Sequence, residues 1–344
     1  MSQEVKRRIL ITGGAGHVGG SLARKLVRDP DNYVVIVDNL STGDPAKLPG
    51  AEYPNWSFEM ADVINFGWLT RAVGWKPFDY IFHYAAVVGV QRTQEQPELV
   101  LGDIQGIHNV LDLATAHRVK RFFYASSSEV YGEPFEIPQH EDTTPLNSRL
   151  PYAIVKNVGE SYARTYFQSE GIPYTIMRLF NTYGPLQSTD FVVSRFLERI
   201  RQGEPITLYG DGQQTRTFCH VDDHVAAVER MLYDGLARNA VINIGSDEEV
   251  TVEELAKRMI AVTGADVPIQ HAPALKAGDM RRRCPEISFL REVLGRAPMS
   301  FEKGFARLLG QLEEASNRAP AQPARPGAAA RERARRSGAT VLQA

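Results

Sequence analysis

The stretch R-I-L-I-T-G-G-A-G-H-V-G, Arg8 to Gly19, decides how the rest of the chain is read. Arg8-Ile9-Leu10-Ile11-Thr12 is a short apolar run, and Ser21 to Val27 continues with helical periodicity. Strand, glycine turn and helix in that order make a dinucleotide-binding unit. Gly13 permits the tight turn, Gly16 lets backbone approach a pyrophosphate, and Gly19 lets the helix pack close to the strand. Phosphate oxygens then meet free N–H groups at the helix N-terminus. The glycine spacing is G-x-x-G-x-x-G rather than G-x-G-x-x-G. Three glycines alone say little; their place between an apolar run and a helix gives them meaning.

Working outward, Tyr33 to Val37 is a second strand ending at Asp38. A carboxylate there can accept both ribose hydroxyls and would repel a 2′-phosphate, so the expected cofactor is NAD rather than NADP. Asp62 follows a strand-like run, Trp56 to Met60, and is placed to reach the adenine. Asp79 to His83 is a fourth strand, running into Tyr84-Ala85-Ala86, where small residues let a cofactor lie close. A helical region from Glu95 to His117 precedes a fifth strand, Arg121 to Ala125, which delivers Ser126, Ser127 and Ser128 to its carboxyl end. Strands alternating with helices at this pace predict an α/β fold, a Rossmann-type doubly wound parallel sheet with its site at the strands' carboxyl ends.

Pro151 opens a segment in which Tyr152 and Lys156 stand four apart, stacked on one face of a helix. A free tyrosine titrates near pH ~10, so a base working at neutrality must lose roughly three units, about 4 kcal/mol. A cation at ~4 Å in an effective dielectric near 20 supplies energy of that order. With a serine hydroxyl sharing the substrate oxygen, such a pair takes a proton from an alcohol as hydride leaves the same carbon. Such pairs are common in helices, and this one gains meaning from the hydride acceptor expected at the glycine turn.

The 344 residues suffice for one large α/β domain or two smaller ones, and a net charge of −2 argues against a nucleic-acid-binding body. No apolar run approaches a membrane span, and the polar start MSQEVKRR is not a signal peptide. Cys219 and Cys284 have neither metal spacing nor a disulfide framework. A cytoplasmic protein without a metal is expected, with no nucleic-acid or membrane partner.

Seven ordered segments carry a resemblance: T-G-G-A-G-H-V-G, V-D-N-L-S-T-G, H-Y-A-A, S-S-S-E-V-Y-G, Y-A-I-V-K, R-L-F-N-T-Y-G-P and Y-G-D-G-Q-Q-T-R-T-F-C-H-V-D-D. Over roughly residues 7–312 the chain resembles the extended short-chain dehydrogenase/reductases, specifically the nucleotide-sugar epimerases, dehydratases and decarboxylases. The resemblance implies tightly held NAD and a sugar nucleotide oxidised to a keto intermediate, with hydride returned at the end. It implies Tyr152 as base, Lys156 as its partner and ribose ligand, Ser127 on the reacting oxygen, and Glu129 as a further catalytic group. Cofactor contacts carry over to Gly13, Gly16, His17, Val18, Gly19, Asp38, Asn39, Ser41, Thr42, Gly43, Asp62, Val63, Tyr84, Ala85, Ala86 and Lys156. Substrate contacts carry over to Ser128, Asn181, Arg216, and Arg282 or Arg283 in D-M-R-R-R, Asp279 to Arg283. A guanidinium fork suits diphosphate geometry. A homodimer through helices near 95–116 and 152–170 is also implied. Two departures stand out: His17 sits where the family has an aromatic or branched apolar residue, and Asp103 takes the usual asparagine position.

The expected division is a NAD-binding domain at 1–180, which also receives later strand and helix segments, a smaller α/β nucleotide-sugar domain at 181–315 and a disordered basic tail at 316–344. Tyr174 to Phe180 reads as a strand with Asn181 at its end, and Phe191 to Gln202 as a helix. Asp222-Asp223 reads as a helix start, where carboxylates favour the N-terminal dipole, rather than as a metal pair. Glu254 to Val262 and Phe301 to Leu312 read as amphipathic closing helices.

Oxidation at the sugar C4 leads to three outcomes. A 4,6-dehydratase places adjacent Asp and Glu where this chain has Ser128 and Glu129, and a serine is a poor acid at neutral pH. A uronate decarboxylase keeps Ser-Glu before V-Y-G, as here. Val87-Val88-Gly89-Val90 and Ala153-Ile154-Val155 instead resemble an epimerase, which puts 4-epimerisation of a UDP-sugar ahead of decarboxylation. A non-catalytic NAD-binding sensor is the reading from another class, and the intact Ser127, Tyr152 and Lys156 oppose it.

Overall fold

Seven strands, all parallel, form the central sheet of the computed structural model, which describes residues 6–273 and 282–318. They are β1 (Arg7–Thr12), β2 (Asn32–Asp38), β3 (Trp56–Met60), β4 (Tyr80–His83), β5 (Arg121–Ser127), β6 (Tyr174–Leu179) and β11 (Ala240–Ile244). Short strands β7 (Thr182–Tyr183), β8 (Ile206–Tyr209), β9 (Thr215–Thr217) and β10 (Cys219–His220) precede β11, and β12 (Glu249–Thr251) and β13 (Ile269–Ala272) follow it. They pair two by two as β10 with β7, β12 with β9 and β13 with β8.

In the main sheet the order is β11-β6-β5-β4-β1-β2-β3. The chain leaves β1 in one direction to build β2 and β3, then returns to the other side for β4. The topological switch therefore falls between β1 and β4, the place where such sheets open a crevice for a ligand. Registered pairs put Thr12 beside His83, His83 beside Tyr124 and Ser127 beside Leu179, so these strand ends share one edge.

The apolar run Ile9-Leu10-Ile11 has no exposed surface, as befits a strand covered on both faces. Its side chains alternate between them. Ile9 and Ile11 pack with Leu22 and Leu26 of α1 (His17–Leu26), Val225 and Val228 of a later helix, and Leu290. Leu10 packs on the other face with Leu69 of α2 (Phe66–Val73) and, past α3 (Val90–Glu95), with Ile107 and Val110 of α4 (Pro97–His117). The same face carries α5 (Pro151–Glu170), through Val155 and Ala163. After α6 (Val192–Gln202), the helix holding Val225 is α7 (Val221–Tyr233); α8 (Val252–Thr263) follows, and Leu290 lies in α9 (Ser288–Leu294).

Helix ends follow local chemistry. Pro151 occupies the first turn of α5, where a missing N–H costs nothing, and Gly171 ends it in the left-handed region at φ 73°. Thr251 accepts the N–H of Glu254 at 3.0 Å, half of a capping box for α8. Two boundaries differ from the sequence reading. The first helix starts at His17, inside the glycine motif, because Gly16 itself is extended and serves as its N-cap. The region from Glu95 is broken: Gln96, before Pro97, leaves the helical region at φ −130° and ψ 59°, so α3 ends at Glu95 and α4 starts anew.

Contacts divide the chain within α10 (Phe301–Arg318), into Met1–Ala306 and Arg307–Ala344. Of the second unit the described residues, to Arg318, are helical. Most of the expected tail, and Asp279 of the D-M-R-R-R segment, lie outside the described residues. No helix among the described residues is long and apolar enough to cross a membrane.

Candidate active site

Four strand ends converge on the crevice. At the end of β1, Gly13 has φ 72°, and a Cβ there would lie 2.5 Å from the backbone nitrogen of Ala85 beyond β4. A Cβ on Gly19 would meet the Gly13 carbonyl at 2.5 Å, so the helix closes on the turn itself rather than on the strand. Thr12 Oγ1 and His83 Nδ1, 2.7 Å apart, tie the two strand ends below.

At the end of β2, Asp38 is 8 % exposed and oriented by two backbone donors, Ala15 N–H to Oδ2 at 3.0 Å and Leu40 N–H to Oδ1 at 2.8 Å. Beyond it the 39–43 turn folds over: Asn39 donates to Asp62 at 2.9 Å, Ser41 N–H donates to Asn39 at 2.9 Å, and Gly43 backs onto Asp38. Ser41 and Thr42 are exposed, Val18 is half-buried, and Val63 is buried with its carbonyl capped by Asn109 at 2.8 Å. Glycine turn, oriented carboxylate and the small Ala85-Ala86 pair suit a dinucleotide.

His17 departs from an apolar residue at a cost in hydrogen bonding. Its Nε2 is buried without a partner, and burial pulls the imidazole pKa down to about 3. Tyr84 and His224 meet beside it at 2.7 Å.

The reactive end is built by α5 lying along β5. Lys156, 5 % exposed, donates to the Ala125 carbonyl at 2.8 Å, with its nitrogen 5.3 Å above the Tyr124 ring and 5.7 Å from the centre of the Tyr152 ring. Gly159 admits the Tyr124 hydroxyl, and Glu160 accepts from Ser126 at 2.6 Å. Ser127 caps the following 3-10 turn, Ser128–Tyr131, by accepting the Glu129 N–H at 3.2 Å. A hydrogen bond from its hydroxyl would favour the ionised form of the Tyr152 phenol.

Electrostatics here correct one expectation. Burial pushes Tyr152 well above the ordinary phenol, the Ser127 hydrogen bond opposes it, and the Glu129 and Asp103 carboxylates add to the rise. The ammonium expected to bring the phenol towards neutrality spends its hydrogen bond on Ala125, and burial pulls Lys156 itself down to about 8, against the opposing charge of Asp103. Asp103, whose carboxyl burial pushes up, accepts the Val87 N–H at 2.8 Å.

The two candidate arginines separate. Arg282 is exposed and clasps Glu249 at 2.7 Å, whereas Arg283 is buried with Glu129 at 2.9 Å and Ser128 at 3.3 Å. Arg283 thus stands at the serine turn. Arg216, on β9, is buried and donates to the Thr215 carbonyl at 2.6 Å; Asn181, at φ 35°, donates to the Thr217 carbonyl at 2.9 Å. Asp223 is more than a helix start: it is fully buried and takes Arg296 at 2.6 Å and the Met299 N–H at 2.8 Å. Sequence reasoning passed over Glu160 and Arg178. The signal for Glu160 was available, since it continues the Tyr152–Lys156 spacing by one more turn.

Comparison with known proteins agrees with this geometry. The chain is 33 % identical over 328 residues to a UDP-N-acetyl-alpha-D-glucosaminuronate decarboxylase of Bacillus cytotoxicus, covering 91 % of this chain and all of that one. The UDP-glucose 4-epimerase of Thermotoga maritima, solved with UDP-glucose, superposes with a TM-score of 0.83 at 30 % identity, covering 90 % of this chain and 99 % of that one. A dTDP-glucose 4,6-dehydratase of Streptomyces venezuelae, solved with NAD, gives 0.81 at 30 %, covering 89 % and 97 %. Residues 9–245 match the NAD dependent epimerase/dehydratase family, and the chain belongs to that family of enzymes, with NAD as its cofactor.

Proposed function

We propose that the protein oxidises a nucleoside-diphosphate sugar at C4 to a transient ketone and returns the hydride to the opposite face, so acting as a 4-epimerase of a UDP-sugar. The observation that carries the reading is Ser127, Tyr152 and Lys156 at the carboxyl end of β5, in the same crevice as the Gly13 turn. Gly13, Gly16, Gly19 and the backbone of His17 and Val18 would hold the cofactor's diphosphate, and Asp38 its adenosine ribose. Bound NAD supplies the hydride acceptor, and its positive ring favours a nearby anion. The Tyr152 phenolate takes the proton from the C4 hydroxyl, while Ser127 holds that oxygen by a hydrogen bond. Lys156, kept cationic by Asp103 against its burial, stabilises the phenolate and would hold the nicotinamide ribose of a bound NAD. Tyr152 then returns the proton once the sugar has turned over. Arg216 and Asn181 would hold the nucleotide from the segment that follows β6.

Glu129 and Arg283 form a pair of no net charge beside the serine turn. A neutral sugar is accepted there without breaking it, whereas a sugar carboxylate would meet the charge of Glu129; this favours epimerisation of a neutral hexose. A second reading rests on the same pair: if Arg283 turns from Glu129 to a C6 carboxylate, the 4-ketone serves as electron sink and carbon dioxide leaves. Incubation with UDP-glucose, UDP-N-acetylglucosamine and UDP-glucuronate separates them. Mixed C4 epimers at unchanged mass support the first, carbon dioxide release the second, and no product from any of them refutes both.

Within 181–315, the short paired strands with α6 and α8 are taken as the nucleotide-sugar portion, while β11, α7 and α9 join the NAD-binding sheet. Exposed Leu99 and Leu101 on α4 and Ile154 and Phe167 on α5 favour a homodimer through these helices, which light scattering in solution tests.

A further inference from the structure

Behind the site lies a charge pair that the chemistry above does not use. Glu160, with no exposed surface, accepts from Arg178 Nε at 2.8 Å and Nη2 at 2.7 Å, from Ser126 at 2.6 Å and from Arg164 at 3.1 Å. Arg178, in β6 and 1 % exposed, sends its remaining nitrogen to the Tyr131 hydroxyl and the Glu141 carbonyl, each at 2.8 Å. Tyr131 donates in turn to Asn243 of β11 at 2.8 Å. One guanidinium thus touches both halves of the catalytic set. Through Glu160 it grips the helix one turn beyond Lys156, and through Tyr131 it grips the far end of the turn that begins after Ser127. Ser126, bonded to Glu160, is the residue just before Ser127.

We propose that the Glu160–Arg178 pair is a positioning device, fixing the separation between the Tyr152/Lys156 face of α5 and the Ser127–Tyr131 turn. A buried pair of this kind is weak evidence for stability as such, since taking both charges out of water opposes most of their attraction. The geometry gives it another use. A bidentate guanidinium–carboxylate contact is planar and directional, so it sets a helix's rotation and its advance along a strand more sharply than apolar contacts do. Those are the two coordinates that place a phenol oxygen against a serine hydroxyl. A displacement of about 1 Å among reacting groups costs on the order of 100-fold in rate.

The test replaces both members at once, Glu160→Met with Arg178→Met, because paired apolar replacements of similar volume commonly leave a fold intact. Hydrogen exchange on the full chain is the first readout and needs no substrate. The proposal expects exchange in Ser126–Tyr131 and Pro151–Glu170 to rise about tenfold or more, with β1 and β2 unchanged. Unchanged exchange throughout, or a uniform rise across the sheet, overturns it. The second readout rests on the function proposed above: kcat should fall about 10- to 100-fold while NAD affinity and substrate KM hold. Undiminished kcat overturns the positioning role. A wild-type protein inactive on every sugar overturns the function instead, and leaves the exchange comparison to decide the positioning. Should the double variant fail to fold, Glu160→Gln, which keeps an acceptor for Ser126 but removes the charge, is read by the same two measurements and the same outcomes.

Discussion

Replacing Asp38 by serine should convert an NAD-specific site into one that tolerates NADP. The carboxylate is fixed by the Ala15 and Leu40 N–H groups at 3.0 and 2.8 Å, one to each oxygen, and it is 8 % exposed. Each oxygen keeps a lone pair for a ribose hydroxyl. A 2′-phosphate in that position would bring a negative charge to about 4 Å from the carboxylate, which at an effective dielectric near 20 costs about 4 kcal/mol per unit charge. That is roughly three decades in affinity. Hydrogen bonds to a charged acceptor contribute about 1.5–3 kcal/mol, so the same substitution should weaken NAD about 10- to 100-fold. Calorimetric titration of both dinucleotides at constant ionic strength measures the two effects. Wild-type protein should prefer NAD by about 1000-fold, and Asp38→Ser should reduce that preference to about tenfold or less. Equal wild-type affinity for both, or a preference unmoved by the substitution, refutes the role given to this carboxylate.

Asp103→Asn should keep the Val87 N–H contact but remove a charge that raises both Tyr152 and Lys156. The basic limb of the kcat profile, set by the ammonium, should move to lower pH; a uniform loss with an unmoved limb would make Asp103 merely structural. Gly159→Ala should destabilise by about 1–3 kcal/mol in urea unfolding, because the new methyl would lie 2.1 Å from the buried Tyr124 hydroxyl; equal midpoints would show that the helix moves away freely. His83 and His224 are 2 % and 0 % exposed, and burial holds both near pKa 3. Unfolded histidines take up protons below about pH 6.5 while these do not, so stability should be intact above that value. It should fall as pH drops from there towards 3, by about 2.7 kcal/mol per pH unit for the two together. Unfolding curves that do not change between pH 7 and 5 contradict this.

What the sequence disclosed and what it withheld divide along the reach of the interaction. Strand, glycine turn and helix follow one another within Arg8–Gly19, and each later carboxyl end is marked by its own apolar run. The edge that gathers Gly13, Asp38, Ala85 and Ser127 was therefore legible before any coordinates. Tyr152 and Lys156 lie one turn apart, so their shared face follows from helix geometry alone. The partners of Arg283 did not follow: Ser128 is 155 residues away, and no local period links the two. Arg178 was read only as one residue of a strand, because its meaning depends on Glu160 arriving from a separate helix. The rise in Tyr152 was missed for a related reason, since spacing shows which charge stands near a phenol and says nothing of how much water has been removed from it.

The central claim, hydride transfer at C4 with Tyr152 handling the proton, is tested most directly by a UDP-sugar carrying deuterium at C4, turned over in ordinary water. Mass spectrometry of the product should find the deuterium still at C4, because hydride leaves and returns to that carbon without exchanging with solvent. Deuterium lost to water would mean that C4 gives up a proton instead, and the account would fall.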